Sequence, residues 1–491
     1  MASPTASVGD RYELVIVGSG AAGVCAAIDA AEAGLSVLVL EAAAERGGAA
    51  AISGGGTCIV DSPLQREKGI QDSVDLAFDD WMKWGGEQAD AEWARFYIER
   101  SAEDLFMWAR ERGVEWQMIR QQEGNSVPRW HQPKGGGAGF MATMFQALEG
   151  LPVELRCSSP VTRIVMEDGR AVGVEVESAG RRQEIRAPAV LVATGGFAGS
   201  PEMVRRYGPQ VGAAGKLLCG GALVSTGSGH QLLEAVGAQF VAMEQVWTYP
   251  YAMFDYLEPA GTRGVAVRGV ENDIWVNANG MRFHNETKRG GATGTPPLLA
   301  QPGSTCWSIF DSRQSSLVTL ADPRFRATGD SSEAEQIKAF LDGSPHFHGA
   351  DSIPRLAQLA GLPADVLTAT IEEFNGWIRQ GLDRDPRFGR PLSKFEPLEH
   401  PPFYALQYFP LARKCFGGVR TDLSCRVINQ DGMVVPGLYA AGEVAGMAGG
   451  HINGRAGLEG TMFGPCLFSG RVAGRAIATK SPLPITMGEA R

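Results

Sequence analysis

"YELVIVGSGAAGVCAAIDAAEAGLSVLVLE", residues 12–41, decides the fold. "ELVIV" is a short apolar run of the kind found in a parallel strand buried on both faces. Gly18, Gly20 and Gly23 follow in G-x-G-x-x-G spacing. The alanine-rich stretch behind them is a good helix former ended by Gly34, and "SVLVL" is a second buried strand. Glu41 closes it, 23 positions after Gly18. In such a unit the first glycine makes the turn, the second lets backbone reach a pyrophosphate, and the third lets helix and strand pack closely. The helix start (Ala21, Ala22) offers unpaired N–H groups to phosphates, and Glu41 is placed to accept from an adenosine ribose.

Outward from this unit the glycines continue instead of another ordinary crossover. "ERGGAAAISGGG", residues 45–56, reads as a loop that tracks an extended cofactor, with Gly47, Gly48, Ala49, Ala50, Ser53, Gly54, Gly55 and Gly56 in contact and Ser19 and Ala42 flanking it. A strand and small-residue turn recur at "APAVLVATGGF", residues 187–197, and at "VPGLYAAGEVAG", residues 435–446. No second strand-preceded G-x-G-x-x-G is found: "KGGGAGFM", residues 134–141, follows "VPRWHQP", read as no buried strand. A separate nicotinamide-nucleotide domain is therefore not expected.

The chain has 491 residues, enough for two or three domains. Its formal net charge of −10 offers no basic stripe, so nucleic acid is not an expected partner. No run of about eighteen apolar residues occurs, so no membrane span is expected. The N-terminal segment reads as no signal peptide, and the eight cysteines form no C-x-x-C pair. Reduced thiols, a cytoplasmic location and no metal site are the expectation. Sixty-four glycines, roughly twice the usual share, cluster rather than repeat.

Residues 70–120 read as helical and 151–193 as short strands in a small antiparallel meander. From about 245 to 400 Trp, Tyr, Phe, His and Pro become frequent, and "LPADVLTATIEEFNGWIRQGLD" is an amphipathic helix. The domains expected are thus 1–244 and 401–491, binding the dinucleotide, and 245–400, a cap.

These segments resemble the flavoprotein family of succinate dehydrogenase and fumarate reductase, which includes 3-ketosteroid dehydrogenases and tricarballylate dehydrogenase. "ATGG", "GLYAAGE" and "VRGVENDIWVNANGMRFHNETKR", residues 267–289, carry the resemblance. It implies an α/β, Rossmann-like two-dinucleotide-binding-domain FAD fold with an inserted α+β capping domain. It implies non-covalent FAD held also by Val161, Ala193, Thr194, Gly195, Gly442, Glu443, Gly460, Thr461 and Met462. The last helix, beginning near Gly460 and Thr461, is expected to point its amino end at the flavin pyrimidine.

The activity implied is oxidation or reduction of a carbon–carbon bond beside a carbonyl. The expected substrate is a small carbonyl or carboxylate compound, first a cyclic ketone and alternatively a di- or tricarboxylate. The electron acceptor, a quinone, oxygen or a protein, is left open, as is a flavoprotein subunit of an electron-transfer complex. The resemblance makes Arg455 a substrate-carboxylate arginine and Arg289 a proton donor, each with an ion pair to Glu459 or Glu286 as the plainer alternative. His451 and Tyr249 stand where relatives carry tyrosine and histidine, and Arg268 is the arginine of the cap's "RG". Val265 replaces a glutamate of the fumarate reductases, which breaks their proton relay. A second histidine of theirs corresponds to Lys414 or Arg413. His131 reads as an ordinary loop residue.

Overall fold

The computed structural model describes residues 12–479 except 179, 214 and 326–330. Strand β1, Leu14–Val17, is buried along its whole length, and so is β2, Val37–Leu40. With β3 (Val153–Arg156), β4 (Ala189–Val192), β5 (Arg426–Ile428) and β6 (Val434–Ala440) they form a sheet of order β5-β6-β4-β1-β2-β3. All neighbours are parallel except β5 and β6. A strand covered on both faces has no solvent side, hence the unbroken apolar runs.

Helix α1, Ala21–Glu32, follows β1, and α2, Val74–Gly85, begins after the capping serine Ser73. The last helix, α3, spans Phe463–Thr479. It crosses α1 at backbone contact: a Cβ on Gly470 would lie 2.2 Å from the Ala22 carbonyl oxygen, and one on Gly474 2.5 Å from that of Ala26. Arg471 on α3 closes the crossing with a buried pair to Asp29 at 2.9 Å.

Contact between residues divides the chain into two units. One takes the described residues up to Ser200, Ala222–Gln245 and those from Lys414 on; the other takes Pro201–Gly221 and Val246–Arg413. The boundaries expected from the sequence are 244 and 400. Residues 403–413 stay with the second unit because the Phe403–Cys415 strand pairs with Cys306–Asp311 over six residue pairs. The second unit is an antiparallel-rich sheet in which the strands Cys306–Asp311, Phe403–Cys415, Val246–Phe254 and Gly264–Arg268 are successive neighbours. Helices such as Ala364–Arg379, the amphipathic helix read from the sequence, pack beside it.

Three local expectations are corrected. Residues 116–120 form a strand, not helix, paired with Trp130–Pro133. Trp130–Pro133 is thus a strand too, though a short antiparallel one that lies outside the parallel sheet. Val153–Arg156 joins β2 in the parallel sheet, leaving the meander to Val161–Glu167, Arg170–Ser178 and Arg181–Arg186.

Candidate functional site: a nucleotide cradle and an arginine-bearing sheet face

The first unit brings all the predicted cofactor residues into one body. Gly18 has φ +105, and a Cβ there would sit 2.5 Å from the Ala193 carbonyl oxygen. A Cβ on Gly23 would sit 2.1 Å from the Gly18 carbonyl oxygen, so helix and turn touch through backbone. Gly20 differs: a Cβ would meet nothing within 4 Å. It is also the N-cap of α1 and supplies no side-chain cap, so the first-turn N–H groups of Ala21, Ala22 and Gly23 face this opening without a side-chain acceptor.

Glu41 is buried and organises the turn. It accepts from the Ser19 amide at 2.9 Å, the Ser19 hydroxyl at 2.7 Å and the Ala43 amide at 2.9 Å. The Ser19 oxygen in turn accepts from the Gly47 amide at 3.0 Å. Ala42 beside it is exposed. The loop after it contains one helical turn, Gly48–Ala51, with Ala49 and Ala50 inside it. Ser53 then donates to the Ala50 carbonyl and accepts from Gly55. Gly54 lies between them, and Gly56 must be glycine because a Cβ would enter the Trp130 ring. Val161 opens the meander and packs on the sheet's core.

The other two turns complete the cradle. After β4, the buried Thr194 hydroxyl has no hydrogen-bond partner among the described residues, and Gly195 has φ +76. After β6, the Gly442 amide donates to Ser469 Oγ at 3.0 Å, while Glu443 accepts from the Cys415 amide at 2.9 Å. Gly460, at φ +96, accepts at its carbonyl from Cys58, and Asn453 donates to the Thr461 carbonyl at 3.0 Å. Thr461 and the buried Met462 form a turn, so α3 begins at Phe463, slightly later than expected. An open glycine over an uncapped helix start, a buried carboxylate beneath it and an orphaned hydroxyl fit a dinucleotide cofactor.

His131 is buried in its strand. Its Nδ1 donates to the Arg129 carbonyl at 2.7 Å, so its Nε2 accepts from the Ser62 hydroxyl at 2.7 Å. Burial pushes its pKa down to about 4, and it stays neutral near pH 7. This neutral, tied ring is a structural part of the first unit and not a loop residue.

The predicted catalytic residues part company. Arg455 is exposed, and its guanidinium donates to the carbonyls of Trp84 at 3.2 Å and Lys83 at 3.4 Å, the last turn of α2. That is a helix C-terminal clamp, not a pair with Glu459. His451 in the same loop is half-buried, and its Nδ1 has no partner among the described residues.

In the second unit Arg289 donates from Nε to the Glu286 carbonyl at 3.0 Å, from Nη1 to the Val270 carbonyl, and from Nη2 to Asp273 at 2.7 Å. Its acidic partner is Asp273 rather than Glu286, whose carboxylate is held by Arg282 and Arg390. Burial works against the charged form of Arg289, but Asp273 outweighs it and the pKa stays above the usual arginine range. Asp273 also accepts from Trp275 Nε1 and Ser308. Val265 is buried opposite Met253.

Tyr249 lies on the Val246–Phe254 strand, its ring stacked 5.2 Å from that of Tyr251 and edge-to-face 6.2 Å from that of Trp247. Arg413, on the neighbouring strand, donates to the Gly220 carbonyl and makes no ion pair among the described residues. Arg268 ends the strand on the other side of Tyr249 and is exposed. In the sequence Arg413 stands only as a replacement for a histidine of the fumarate reductases. Its signal was a long cation inside "FYALQYFPLARKC", a strand otherwise mostly buried.

A family model described as "FAD binding domain" matches residues 13–461. A KsdD-like steroid dehydrogenase of Mycobacterium tuberculosis is 31% identical over 543 aligned positions, covering 95% of each chain. The fumarate reductase (cytochrome) of Shewanella frigidimarina is 30% identical, covering 96% of this chain and 78% of that one. The solved structure of 3-ketosteroid-Δ4-(5α)-dehydrogenase from Rhodococcus jostii RHA1, in complex with 4-androstene-3,17-dione, aligns with a TM-score of 0.74 at 26% identity. That alignment covers 97% of this chain and 98% of that one.

Proposed function

The chain belongs to the FAD binding domain family of oxidoreductases, and from that premise we propose that it oxidises or reduces the carbon–carbon bond beside the carbonyl of a cyclic ketone. Bound FAD supplies the reversible two-electron chemistry. The cradle of Gly18–Gly23, Glu41, the 45–56 loop, Thr194 and the Gly442–Glu443 turn holds it without a covalent bond.

One observation carries the choice of a ketone over a dicarboxylate. The two arginines that the resemblance assigns to a carboxylate substrate, Arg289 and Arg455, are committed to protein carbonyls and to Asp273. The match to a steroid dehydrogenase over 95% of both chains supports the same choice. Val265 supports it too, since a buried valine passes no proton where an acid would be required. Tyr249 is the acid/base in this reading: its phenol hydrogen-bonds the ketone oxygen or moves a proton at the neighbouring carbon. Arg289 is a positioning residue.

The similarity to fumarate reductases keeps one alternative, an ene-reductase of unsaturated carboxylates. Anaerobic mixing with 4-androstene-3,17-dione or a saturated 3-oxosteroid, and separately with succinate or fumarate, decides between them. Bleaching or reoxidation of the flavin by the ketones, matched by dye reduction with the purified chain alone, is the expected result. A response to succinate or fumarate only would replace the ketone by a dicarboxylate. Dye turnover only in the presence of a second protein would make the chain an electron-transfer subunit. Flavin released into the supernatant by acid precipitation is expected for non-covalent binding. No described helix is long and apolar enough to cross a membrane, and with eight free cysteines we place the protein in the cytoplasm.

A further inference from the structure

We infer that Cys415 is a positioning residue for the cofactor: its thiol ties the turn after β4 to the Glu443 carboxylate and fixes how Glu443 meets bound FAD. This rests on the cradle proposed above and adds to it a residue that acts through Glu443.

Three separate stretches of the first unit meet at this carboxylate. Glu443 comes from the turn after β6, Gly196 and Phe197 from the turn after β4, and Cys415 from the end of the Phe403–Cys415 strand, one residue past the point where the chain re-enters this unit. A Cβ on Gly196 would lie 2.3 Å from Glu443 Oε1 and 2.9 Å from Cys415 Sγ, so the carboxylate and the sulfur both press on that glycine's backbone. The Cys415 amide donates to Glu443 Oε1 at 2.9 Å, and the Cys415 thiol is hydrogen-bonded to the same carboxylate. On its other side the sulfur accepts from the Phe197 amide at 3.1 Å and from the Ala198 amide. The backbone end of Glu443 is fixed as well, its amide bonded to the Cys466 sulfur of α3.

A thiol is both a weak donor and a weak acceptor. With two amides on one side and a carboxylate on the other, one arrangement satisfies every group: the sulfur accepts from the amides and the S–H donates to Glu443. That arrangement needs the protonated thiol, and burial together with the Glu443 charge raises the Cys415 pKa well above the ordinary thiol range. Cys415 and Phe197 are fully buried, whereas Glu443 is half-buried. The bracing is thus sheltered from water, where hydrogen bonds to a charge are strongest, and the residue it braces is not. Amide and thiol of one residue hold the carboxylate from two atoms and restrict its rotation. A side chain ordered in advance costs less to engage when the cofactor binds.

The test titrates FAD into the flavin-stripped full chain, followed by flavin fluorescence, for the parent, Cys415→Ala, Cys415→Ser, Glu443→Gln and the double variant of Cys415→Ala with Glu443→Gln. Cys415→Ala should weaken FAD binding about tenfold, as for a hydrogen bond to a charged group. Cys415→Ser keeps a donor and an acceptor and should stay within about threefold of the parent. On top of Glu443→Gln, the alanine change should cost less than about twofold, because its effect runs through the carboxylate. A full tenfold loss on that background would overturn the inference. So would equal losses in the alanine and serine variants, which would make Cys415 a packing residue. If Cys415→Ala is insoluble, Cys415→Ser decides: a tenfold loss in a variant that keeps both hydrogen bonds overturns the inference, and a loss within threefold upholds it. Glu443→Gln separates the two levels. Parent-like FAD binding there removes Glu443 from the cradle and with it the reading underneath. Weakened binding in Glu443→Gln beside an unaffected Cys415→Ala keeps the cradle and removes Cys415.

Discussion

The arginine network around Arg289 and the surroundings of Arg413 belong to one unit and use the same side chain in opposite ways. At Arg289 the protein supplies two carbonyls and a carboxylate, and that carboxylate is itself fixed by Trp275 and Ser308. At Arg413 it supplies one carbonyl and surrounds the charge with tyrosines and a further cation. A satisfied cation holds structure together; an unsatisfied one bears the cost of its own burial. The nucleotide turn shows the same division in its glycines, with Gly18 and Gly23 pressed against backbone and Gly20 facing open space.

The sharpest break of this contrast is expected at the turn. Gly23→Ala must displace the Gly18 carbonyl, 2.1 Å from the new methyl, and should give insoluble or flavin-free protein. Gly20→Ala should fold with an unchanged melting temperature in the flavin-free form and bind FAD more weakly by roughly tenfold or more if the methyl meets the pyrophosphate. Flavin content after purification and an FAD titration measure both. If the two variants behave alike, the division between packed and open glycines is wrong.

Next in size is Asp273→Ala, which leaves Arg289 partly buried without its carboxylate. A loss of about 3–5 kcal/mol in urea unfolding is expected, far above that of Arg413→Gln, which has no acidic partner to strand. Acidification probes the first unit. His131 and His230 are buried, and burial holds both near a pKa of about 4, against an ordinary value of 6.5. The unfolded chain therefore takes up protons first as the pH falls. Stability should decline from about pH 6.5 and level off below about 4, by up to roughly 3 kcal/mol per histidine. His230→Phe should flatten about half of that slope in denaturation curves at pH 7 and 4.5. The smallest effect belongs to Arg455. As a clamp on the end of α2, its replacement by Ala should cost about 0.5 kcal/mol and change KM for any substrate by less than about threefold. A hundredfold rise in KM for a carboxylate alone would make it a substrate ligand after all.

Much of the first unit was legible because its constraints are local. Gly18, Gly20, Gly23 and Glu41 lie within 24 consecutive residues, and the role of each follows from steric rules that hold wherever a strand turns into a helix. The Gly470 and Gly474 crossing was not legible, since a small residue in a helix does not announce which neighbour presses on it. The strand at Trp130–Pro133 was missed because a proline and a histidine mask a short run whose pairing comes from Trp116–Arg120 and Thr57–Cys58.

The arginines mark the limit. By itself the sequence determined the dinucleotide turn, the family and the presence of several cations in the later half of the chain, because those rest on spacing along the backbone. Only the tertiary structure decided which cation meets a carboxylate and which meets a carbonyl. A guanidinium's partners come from residues such as Asp273 and Gly220, 16 and 193 positions away from Arg289 and Arg413, and charge neutralisation depends on distance in space rather than on order in the chain.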